Sequence, residues 1–310
     1  MLRSKAPDVG RQTTGDPVAM RGVVVGVSGS AEADVALDWA LKEAASYGVP
    51  LTAVMAWNGP RGVQPHEYQS QLDRRREDLL SLVDAAVRRV GVQVDVEARV
   101  AEGDAPDALM TAAEDADMLV LGRRRLGRLG RLVLGSVSSE LVERAQLPVT
   151  VVRAALADGD GDGSEMPDGG PRRIVVGVDT SGSSMLALRH AAAVAAHTGA
   201  VLEAVFAWQI TTLAPLPGSW GWAPPLGEYE AFAAGRLDEA IAAAGLDLPA
   251  DQIVRTVIHK APAAALIDAS TRADRLVVGA RGLGGFDRLL LGSVSRQVLE
   301  YANSPVTVVR

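Results

Sequence analysis

The strongest constraint on the fold is that the chain contains two copies of one sequence pattern. Residues 23–30 read VVVGVSGS, and residues 174–181, found 151 positions later, read IVVGVDTS. Near the end of each copy, PVTVVR at residues 148–153 recurs at residues 305–310, at an offset of 157. Repeats of this length indicate duplicated domains, because solenoid units span only ~20–50 residues. The larger second offset places extra residues in the second copy, most simply after Trp208.

The repeat defines the expected domain organisation. We expect a disordered N-terminal tail over residues 1–20 and domain one over residues 21–153. A Gly/Asp-rich linker at residues 154–171 would then lead to domain two at residues 172–310. The length of 310 residues agrees with two domains of roughly 100–200 residues each.

Within each copy, short β-branched runs alternate with helical segments. Residues 23–27 and 174–178 have the composition of buried strands, and the helical segments that follow each end at a glycine. The third strands are expected at residues 92–100 and 252–258. This alternation predicts an α/β fold of two tandem Rossmann-like domains, each an open, mostly parallel five-stranded sheet with helices on both faces. In such sheets, ligands bind beyond the carboxyl ends of the strands.

Composition excludes several classes of protein. The chain has no cysteine, which rules out disulfides, iron–sulfur clusters and cysteine-type zinc sites. Its net charge of −7 argues against general nucleic-acid binding. No run approaches the ~18 apolar residues of a membrane helix, and the N-terminus has no apolar core of a secretory signal. We therefore expect a soluble, cytoplasmic protein with no membrane association.

The segment most suggestive of ligand chemistry follows the fourth strand of domain two and reads GARGLGGFDRLLLGS at residues 279–293. Glycines allow positive φ and a close approach of the backbone to a ligand. Gly292 and Ser293 open a helix, whose free N–H groups and dipole favour an anion. This position between a strand and a helix predicts a phosphate-binding cradle rather than a plain turn.

The spacing G-x2-G-x9-G-[ST], filled by Gly279, Gly282, Gly292 and Ser293, resembles the ATP-binding motif of the universal stress protein family. The opening segment VVGVD at residues 175–179 and the terminal SPVTVV resemble that family as well. The resemblance covers both domains. It implies an ATP-binding protein that acts as a nucleotide-dependent sensor or regulator of a stress response.

The resemblance also implies roles for individual residues of domain two. Asp179 would accept hydrogen bonds from the sugar or base side of the nucleotide, and Ala207 would lie beside the adenine. The alternative for Asp179 is a turn-forming residue at a strand end, and the alternative for Ser293 is a helix N-cap. The implied nucleotide site comprises Gly177, Val178, Asp179, Ala207, Val278, Gly279, Arg281, Gly282, Gly292, Ser293, Val294 and Ser295. ATP could bring Mg²⁺, since hard cations pair with phosphate oxygens, but the sequence identifies no metal ligands.

Domain one departs from the motif at two positions. Arg125 replaces the second motif glycine, and Ser28 stands where domain two has Asp179. We expect ATP binding there to be weak or absent. The residues of this weaker second site are Gly122, Gly135, Ser136, Val137 and Ser138. The nearby arginines would either grip a phosphate or an acidic partner, or form a solvated basic loop; they are Arg123, Arg124, Arg125, Arg128 and Arg131.

Two other functions stay open at this stage. One is slow, metal-dependent ATP hydrolysis, although no general base stands out and we expect at most weak activity. The other is a nucleotide-independent interaction scaffold with an unknown protein partner. P-loop NTPases, protein kinases and α/β-hydrolases are excluded, because GxxxxGK[ST], HRD, DFG and GxSxG are all absent.

The last strand of each copy predicts how the domains assemble. Exposed sheet edges tend to pair, so we expect the VTVV segments at residues 149–152 and 306–309 to join the two domains within one chain. Two chains could associate further as a homodimer. Among the remaining features, His190 and His197 are expected to be structural, and residues 73–78 to form a solvated helix face. The Trp/Pro-rich residues 211–226 are expected to form a lid, a partner patch or a packed loop.

Overall fold

The structure is a computed structural model that describes residues 20–123, 125–126, 131–132, 134–153, 171–209, 225–283 and 291–310. The expected tail and linker lie outside the described residues, apart from Met20 and Pro171. Nearly all of the Trp/Pro-rich stretch also lies outside them.

Domain one alternates strands and helices as the repeat predicts. Its elements are β1 (Val23–Gly26), α1 (Ala31–Tyr47), β2 (Leu51–Trp57), α2 (Pro65–Val90), β3 (Val96–Glu102), α3 (Ala105–Ala112), β4 (Met118–Gly122), β5 (Arg125–Leu126), β6 (Arg131–Leu132), α4 (Ser136–Arg144) and β7 (Val149–Val152). Strands β5 and β6 pair only with each other.

Domain two repeats the order without that small hairpin among its described residues. Its elements are β8 (Arg173–Gly177), α5 (Gly182–Thr198), β9 (Val201–Trp208), α6 (Leu226–Ala244), β10 (Ile253–His259), α7 (Pro262–Ala269), β11 (Arg275–Gly279), α8 (Ser293–Tyr301) and β12 (Val306–Val309). Short 3-10 turns at Ala250–Gln252 and Ser270–Arg272 precede β10 and β11.

The ends of the first helix in each copy follow from local sequence. Ser30 and Ser181 cap α1 and α5, and each side-chain oxygen accepts a backbone N–H of the first turn. Gly48 and Gly199 end the same helices at φ values of 65° and 67°, a backbone conformation that glycine adopts without strain. The prediction that β3 begins at residue 92 is wrong. Pairing starts at Val96, because its partner strand β2 begins at Leu51.

The two copies share one sheet. Each has five parallel strands, in the orders β3-β2-β1-β4-β7 and β10-β9-β8-β11-β12. Strands β7 and β12 pair antiparallel, with Thr150 opposite Thr307, and so join the halves into a ten-stranded sheet. The structure thus confirms the predicted fold class and the pairing of the terminal strands within one chain.

Helices cover both faces of this sheet. On one face, α3, α4, α7 and α8 share a single apolar core that runs through both domains, with Leu141 and Leu299 fully buried. On the other face, α1 and α2 pack over domain one, and α5 and α6 pack over domain two, in separate cores. Among the described helices, none is both long and apolar enough to cross a membrane.

The topology creates one crevice in each copy. In domain two, the chain runs from β8 through β9 to β10 and then crosses to β11 on the opposite side of β8. Strand order therefore reverses between β8 and β11, and the loops after these two strands diverge. Open parallel sheets bind ligands at this point.

Candidate functional site

A cavity of about 580 Å³ lies at the carboxyl ends of β8, β9 and β11 in domain two. All of the residues predicted for the domain-two nucleotide site line this cavity. The lining also includes residues that sequence analysis did not place there: Ser184, Val205, Pro262, Leu266, Leu283 and Leu291. Most of these lie on elements whose inward face becomes known only once the helices are packed on the sheet.

Asp179 connects the end of β8 to the glycine-rich loop. Its Oδ1 accepts a hydrogen bond from the backbone N–H of Ser181 at 3.0 Å, which is the turn expected of an aspartate at a strand end. Its Oδ2 accepts the backbone N–H of Leu283 at 3.2 Å, more than a hundred residues away. The turn role and a position at the ligand cavity therefore coexist in one side chain.

The motif glycines serve close approach and not positive φ. Neither Gly279, Gly282 nor Gly292 has a positive φ, so that part of the sequence argument is wrong. A Cβ on Gly279 would lie 2.7 Å from the carbonyl carbon of Ser183, a backbone atom that cannot move aside easily. A Cβ on Gly282 would lie 2.4 Å from Asp179 Oδ2. Gly279 and Gly282 therefore leave room for the loop to pack on the neighbouring backbone and carboxylate, whereas a Cβ on Gly292 would meet only ordinary contacts from 3.4 Å.

Serine side chains at the start of α5 fasten the loop from the other side. The hydroxyl of Ser181 donates to the Arg281 carbonyl at 3.3 Å, and the Ser183 hydroxyl forms a short hydrogen bond to the same oxygen. The backbone N–H of Arg281 donates to Ser183 Oγ at 3.3 Å. These contacts hold the first part of the loop against the mouth of the cavity, with the Arg281 side chain exposed.

Helix α8 points its first turn at the cavity. Gly292 is the N-cap, so the alternative in which Ser293 caps this helix is wrong; Ser293 is the first helical residue. No side chain caps this first turn, which leaves its backbone N–H groups available to an anion. The buried Ser295 hydroxyl donates to the Gly279 carbonyl at 2.7 Å and so fixes the helix to the end of β11.

The opposite wall of the cavity is apolar. Val178, Val205, Leu266 and Val278 are almost completely buried beneath it, and Ala207 is half-buried at the end of β9. Leu266 comes from α7, one turn after Pro262, which starts that helix. The cavity thus combines an apolar wall with a loop of backbone N–H groups and one carboxylate, since Asp179 is the only acidic side chain among the described lining residues.

Domain one has a smaller cavity of about 390 Å³ in the corresponding place. All of the residues predicted for the weaker second site line it. Ser28 replaces the carboxylate, and its hydroxyl bonds to Ser30 Oγ at 3.2 Å. Glu32 occupies the position of Ser183 and lines the cavity, and its backbone carbonyl lies against Gly122. Arg75 also lines this cavity, and residues 73–78 are all exposed, as expected of a solvated helix face.

Arg123 does not belong to a solvated basic loop. It is only 3% exposed, and its Nη1 donates to the carbonyl of Ala302 in domain two at 3.4 Å. Burial, with a further contribution from the charge of Arg153, lowers the pKa of Arg123 to about 10. The side chains of the other arginines in that cluster lie outside the described residues.

No metal centre is evident in the described part of the chain. No group of three or more histidine, aspartate or glutamate side chains there is arranged to hold an ion. His190 and His197 both lie on α5, where His197 contacts the Ser46 carbonyl oxygen of domain one, and neither is among the described lining residues of the cavity.

Two Rossmann-like domains joined edge to edge, each with a cavity at its strand ends, define a tandem α/β protein. The universal stress protein family model matches residues 20–153 and 170–310, which are the two copies. The chain belongs to the universal stress protein family.

Relatives of the same length share the tandem arrangement. A universal stress protein of Mycobacterium tuberculosis strain H37Rv is 34% identical over 302 residues, covering 95% of this chain and 98% of the relative. One from Mycolicibacterium smegmatis is 32% identical over 298 residues, covering 93% and 97%. The crystal structure of a universal stress protein from Archaeoglobus fulgidus aligns with a TM-score of 0.67 at 20% identity, covering 93% of this chain and 98% of that one, and supports the fold alone.

Proposed function

We propose that domain two binds ATP and that the protein acts as a nucleotide-dependent sensor or regulator in a stress response. One observation carries the proposal: every residue that the family motif implicates lines a single cavity of about 580 Å³. That volume lies within the range of roughly 300–1,000 Å³ in which proteins hold small ligands. A regulator of this kind would work in the cytoplasm.

The chemistry of the cavity walls suits the three parts of a nucleotide. The apolar wall near Ala207 and Val278 would take the adenine, and the Asp179 carboxylate would accept hydrogen bonds from the sugar hydroxyls. The uncapped first turn of α8 and the loop at Gly282 would receive the phosphates through backbone N–H groups. Arg281, exposed at the rim, would add a positive charge.

The lining does not provide a metal cage. Asp179 is its only acidic side chain among the described residues, and both carboxylate oxygens already accept backbone N–H groups. Mg²⁺ would therefore enter with the triphosphate and take most of its ligands from phosphate and water. Because Asp179 is held in this way, it is poorly placed as a general base, and we do not propose efficient hydrolysis.

The hydrogen bonds at the mouth of the cavity suggest how binding could be sensed. A sugar hydroxyl that bonds to Asp179 Oδ2 would share this oxygen with Leu283 N–H and draw the carboxylate toward the nucleotide. A nucleotide that competes for this oxygen would favour a different arrangement of the loop, and a ligand shifts such an equilibrium by its difference in affinity for the two arrangements. Leu283, which is 70% exposed, would then present a different surface to a partner.

The test is to release and identify the small molecules carried by the purified protein by mass spectrometry, followed by calorimetry with ATP. We expect ATP to bind at one site per chain. A protein that emerges without nucleotide, and shows no heat with ATP while remaining folded, would contradict the proposal. Retention of partner binding in that state would instead favour the nucleotide-independent scaffold.

A further inference from the structure

The two copies meet along an interdomain seam, formed by strands β7 and β12 and by the helices on either side of them. At its centre the seam is symmetric. Thr150 and Thr307 occupy equivalent positions of the two copies, lie opposite each other and share a hydrogen bond of 2.8 Å between their hydroxyls. If the strands alone decided the pairing, a domain could pair with a second copy of itself as easily as with its neighbour.

The helices beside the strands are not symmetric. Glu43 on α1 and Arg275 at the start of β11 form an ion pair of 2.6 Å, with their side chains only 9% and 5% exposed. The guanidinium of Arg275 also lies over the ring of Trp39, 4.7 Å from its centroid. The repeat offsets make Val194 the counterpart of Glu43, and Met118 the counterpart of Arg275.

These counterparts determine what mispairing would do. If two copies of domain one paired, each Glu43 would face Met118, and if two copies of domain two paired, each Arg275 would face Val194. Every mispaired seam would then contain two buried charges without a partner. Removing the partner of a buried charge is costly enough to shift an equilibrium by about a hundredfold or more.

A second buried contact differs between the copies on one side only, because its donor is specific to domain one while its acceptor is a backbone carbonyl that both copies have. Arg123 of domain one crosses the seam to the carbonyl of Ala302, at the end of α8, and its counterpart in domain two is Ala280. Two copies of domain one would bring two buried arginines to one seam, and two copies of domain two would leave that space to alanines.

A further contact between the domains lies at the surface of the seam, where His197 of domain two stacks on Tyr47 of domain one at 3.8 Å and lies 2.9 Å from the Ser46 carbonyl oxygen.

We infer that the buried Glu43–Arg275 pair makes domain one accept domain two and reject a second copy of itself, with the buried Arg123 as a further position at which the two copies differ. The strands provide pairing that any copy could use, and the buried asymmetric charges select the partner. The correct pairing is selected because each wrong pairing is destabilised by charges that are buried and unpaired.

The competing explanation is the covalent connection between the domains. A tether raises the effective concentration of the neighbouring domain, commonly into the millimolar range, and could enforce the pairing without any selective contact. An experiment must therefore cut the connection after the chain has folded. A protease site placed within residues 154–170 of the full-length chain allows this.

The reporter is a single Thr150→Cys substitution in a chain that otherwise has no cysteine. Because position 150 faces the equivalent position 307, it would face its own copy in a pair of two domain-one halves, where oxidation would form a disulfide. The double substitution Thr150→Cys/Thr307→Cys is the control that the cut halves remain paired and that this geometry permits the bond. After cleavage and incubation, non-reducing electrophoresis separates the cross-linked products.

The test compares this reporter in the unchanged sequence and in a chain carrying Glu43→Val, Arg275→Met and Arg123→Ala, which are the residues of the sister copy. We expect domain-one dimers to be rare in the unchanged sequence and at least tenfold more abundant in the triple variant. Random pairing sets the upper limit, at which roughly half of the domain-one halves pair with each other. Thermal unfolding of the uncut chain verifies that the triple variant is folded. If the triple variant does not fold, the double variant Glu43→Val/Arg275→Met replaces it in the comparison.

Two results would overturn the inference. One is an equal yield of domain-one dimers with and without the asymmetric charges, which would show that they select nothing. The other is separation of the cut halves, seen as loss of the disulfide in the Thr150→Cys/Thr307→Cys control, which would show that the connection alone holds the domains together.

Discussion

The carboxylate of Asp179 lies directly against the backbone of Gly282, so closely that a methyl group there would be 2.4 Å from Oδ2. The same oxygen accepts the N–H of the next residue, Leu283. The residue proposed to bind the sugar is therefore in direct contact with the loop proposed to bind the phosphates. A substitution in either should weaken the binding of both parts of the nucleotide.

The first prediction follows from this contact. Gly282→Ala should weaken ATP binding at least about tenfold, because the added methyl must displace the Asp179 carboxylate or the loop. The fold should survive, since the loop is peripheral to the core. Calorimetry with ATP measures the effect. Gly235→Ala is the matched control, because a Cβ there meets nothing within 4 Å and the helix should gain about 0.5–1 kcal/mol. Equal affinities for the two variants would remove Gly282 from the site.

The second prediction concerns the difference between the copies. Asp179→Ala should abolish most of the tight binding of ATP, because it removes the carboxylate and releases Leu283 N–H. The equivalent change in domain one, Ser28→Ala, should alter it little, and so should Ser136→Ala, since the domain-one cavity has no carboxylate at position 28 and has the acidic Glu32 in its lining. Native mass spectrometry should count one ATP per chain. Two equivalent tight sites, or loss of binding in Ser28→Ala, would refute the assignment.

Much of the fold and the residues around the cavity could be predicted from the sequence because both are encoded locally. The repeat fixes the number of domains, and the alternation of strands and helices fixes the parallel sheet, whose strand ends must meet at one edge. The motif spacing marks Gly279, Gly282 and Gly292, and all three line the cavity. The close contacts of Gly279 with Ser183 and of Gly282 with Asp179 could not be predicted, since they depend on packing between distant segments.

The seam was predictable only in part for the same reason. The repeated VTVV segments indicate strands that pair, and they do. Nothing in the local sequence distinguishes Arg123, which is buried against the other domain, from the arginines that follow it in the chain. Likewise, Glu43 reads as one more acidic residue on a helix until Arg275, more than two hundred residues later, is placed beside it.

The third prediction uses a strained residue beside the cavity. Thr180 has a φ of 65°, a conformation that is unfavourable for a β-branched residue, whereas its counterpart in domain one is Gly29 at 74°. Thr180→Gly should stabilise the protein by about 0.5–1 kcal/mol, even though it loses the 3.1 Å hydrogen bond from Arg236. The reverse change, Gly29→Thr, should destabilise it by about 1–2 kcal/mol. Urea unfolding of both variants checks the opposite signs, and a loss of stability in Thr180→Gly would contradict the argument.

The fourth prediction concerns Glu203, a buried acid that is not among the residues lining the cavity. Glu203 is 2% exposed and bonds to Arg272 at 2.6 Å, Arg173 at 2.9 Å and Thr256 at 2.9 Å. Burial alone would raise the pKa of Glu203, but the hydrogen bonds from Arg272 and Thr256 and the two arginine charges outweigh it and lower the pKa below its usual value.

The sign of the pH effect follows from that lowering. An acid with a lowered pKa in the folded state contributes stability above its unfolded pKa of ~4.3 and loses it as the pH falls through the folded value. Glu203→Gln should therefore be less stable than the wild type at pH 7 and should show a flatter loss of stability below about pH 4. Asp238→Asn, which breaks an exposed pair with Arg255, is the control and should change little. Parallel acid curves for Glu203→Gln and wild type would contradict the assignment.

The fifth prediction concerns His190, which lies on α5 near the interdomain seam. Burial, reinforced by the charge of Arg275, lowers the pKa of His190 to about 4, and its Nε2 is buried without a hydrogen-bond partner in the described structure. The unfolded chain takes up this proton near pH 6.5, well before the folded protein does. The free energy of unfolding should therefore fall as the pH is lowered from about 6.5 to 4, by up to about 1.4 kcal/mol per pH unit from this group.

His190→Leu should flatten the dependence of stability on pH in that window, because it removes the titrating imidazole and leaves no buried polar atom. His66→Gln, at an exposed position on α2, should leave the curve unchanged. Chemical unfolding at half-unit pH steps separates this effect from that of Glu203, which acts at lower pH. A His190→Leu curve as steep as that of the wild type would show that this histidine does not cause the loss of protein stability between pH 6.5 and 4.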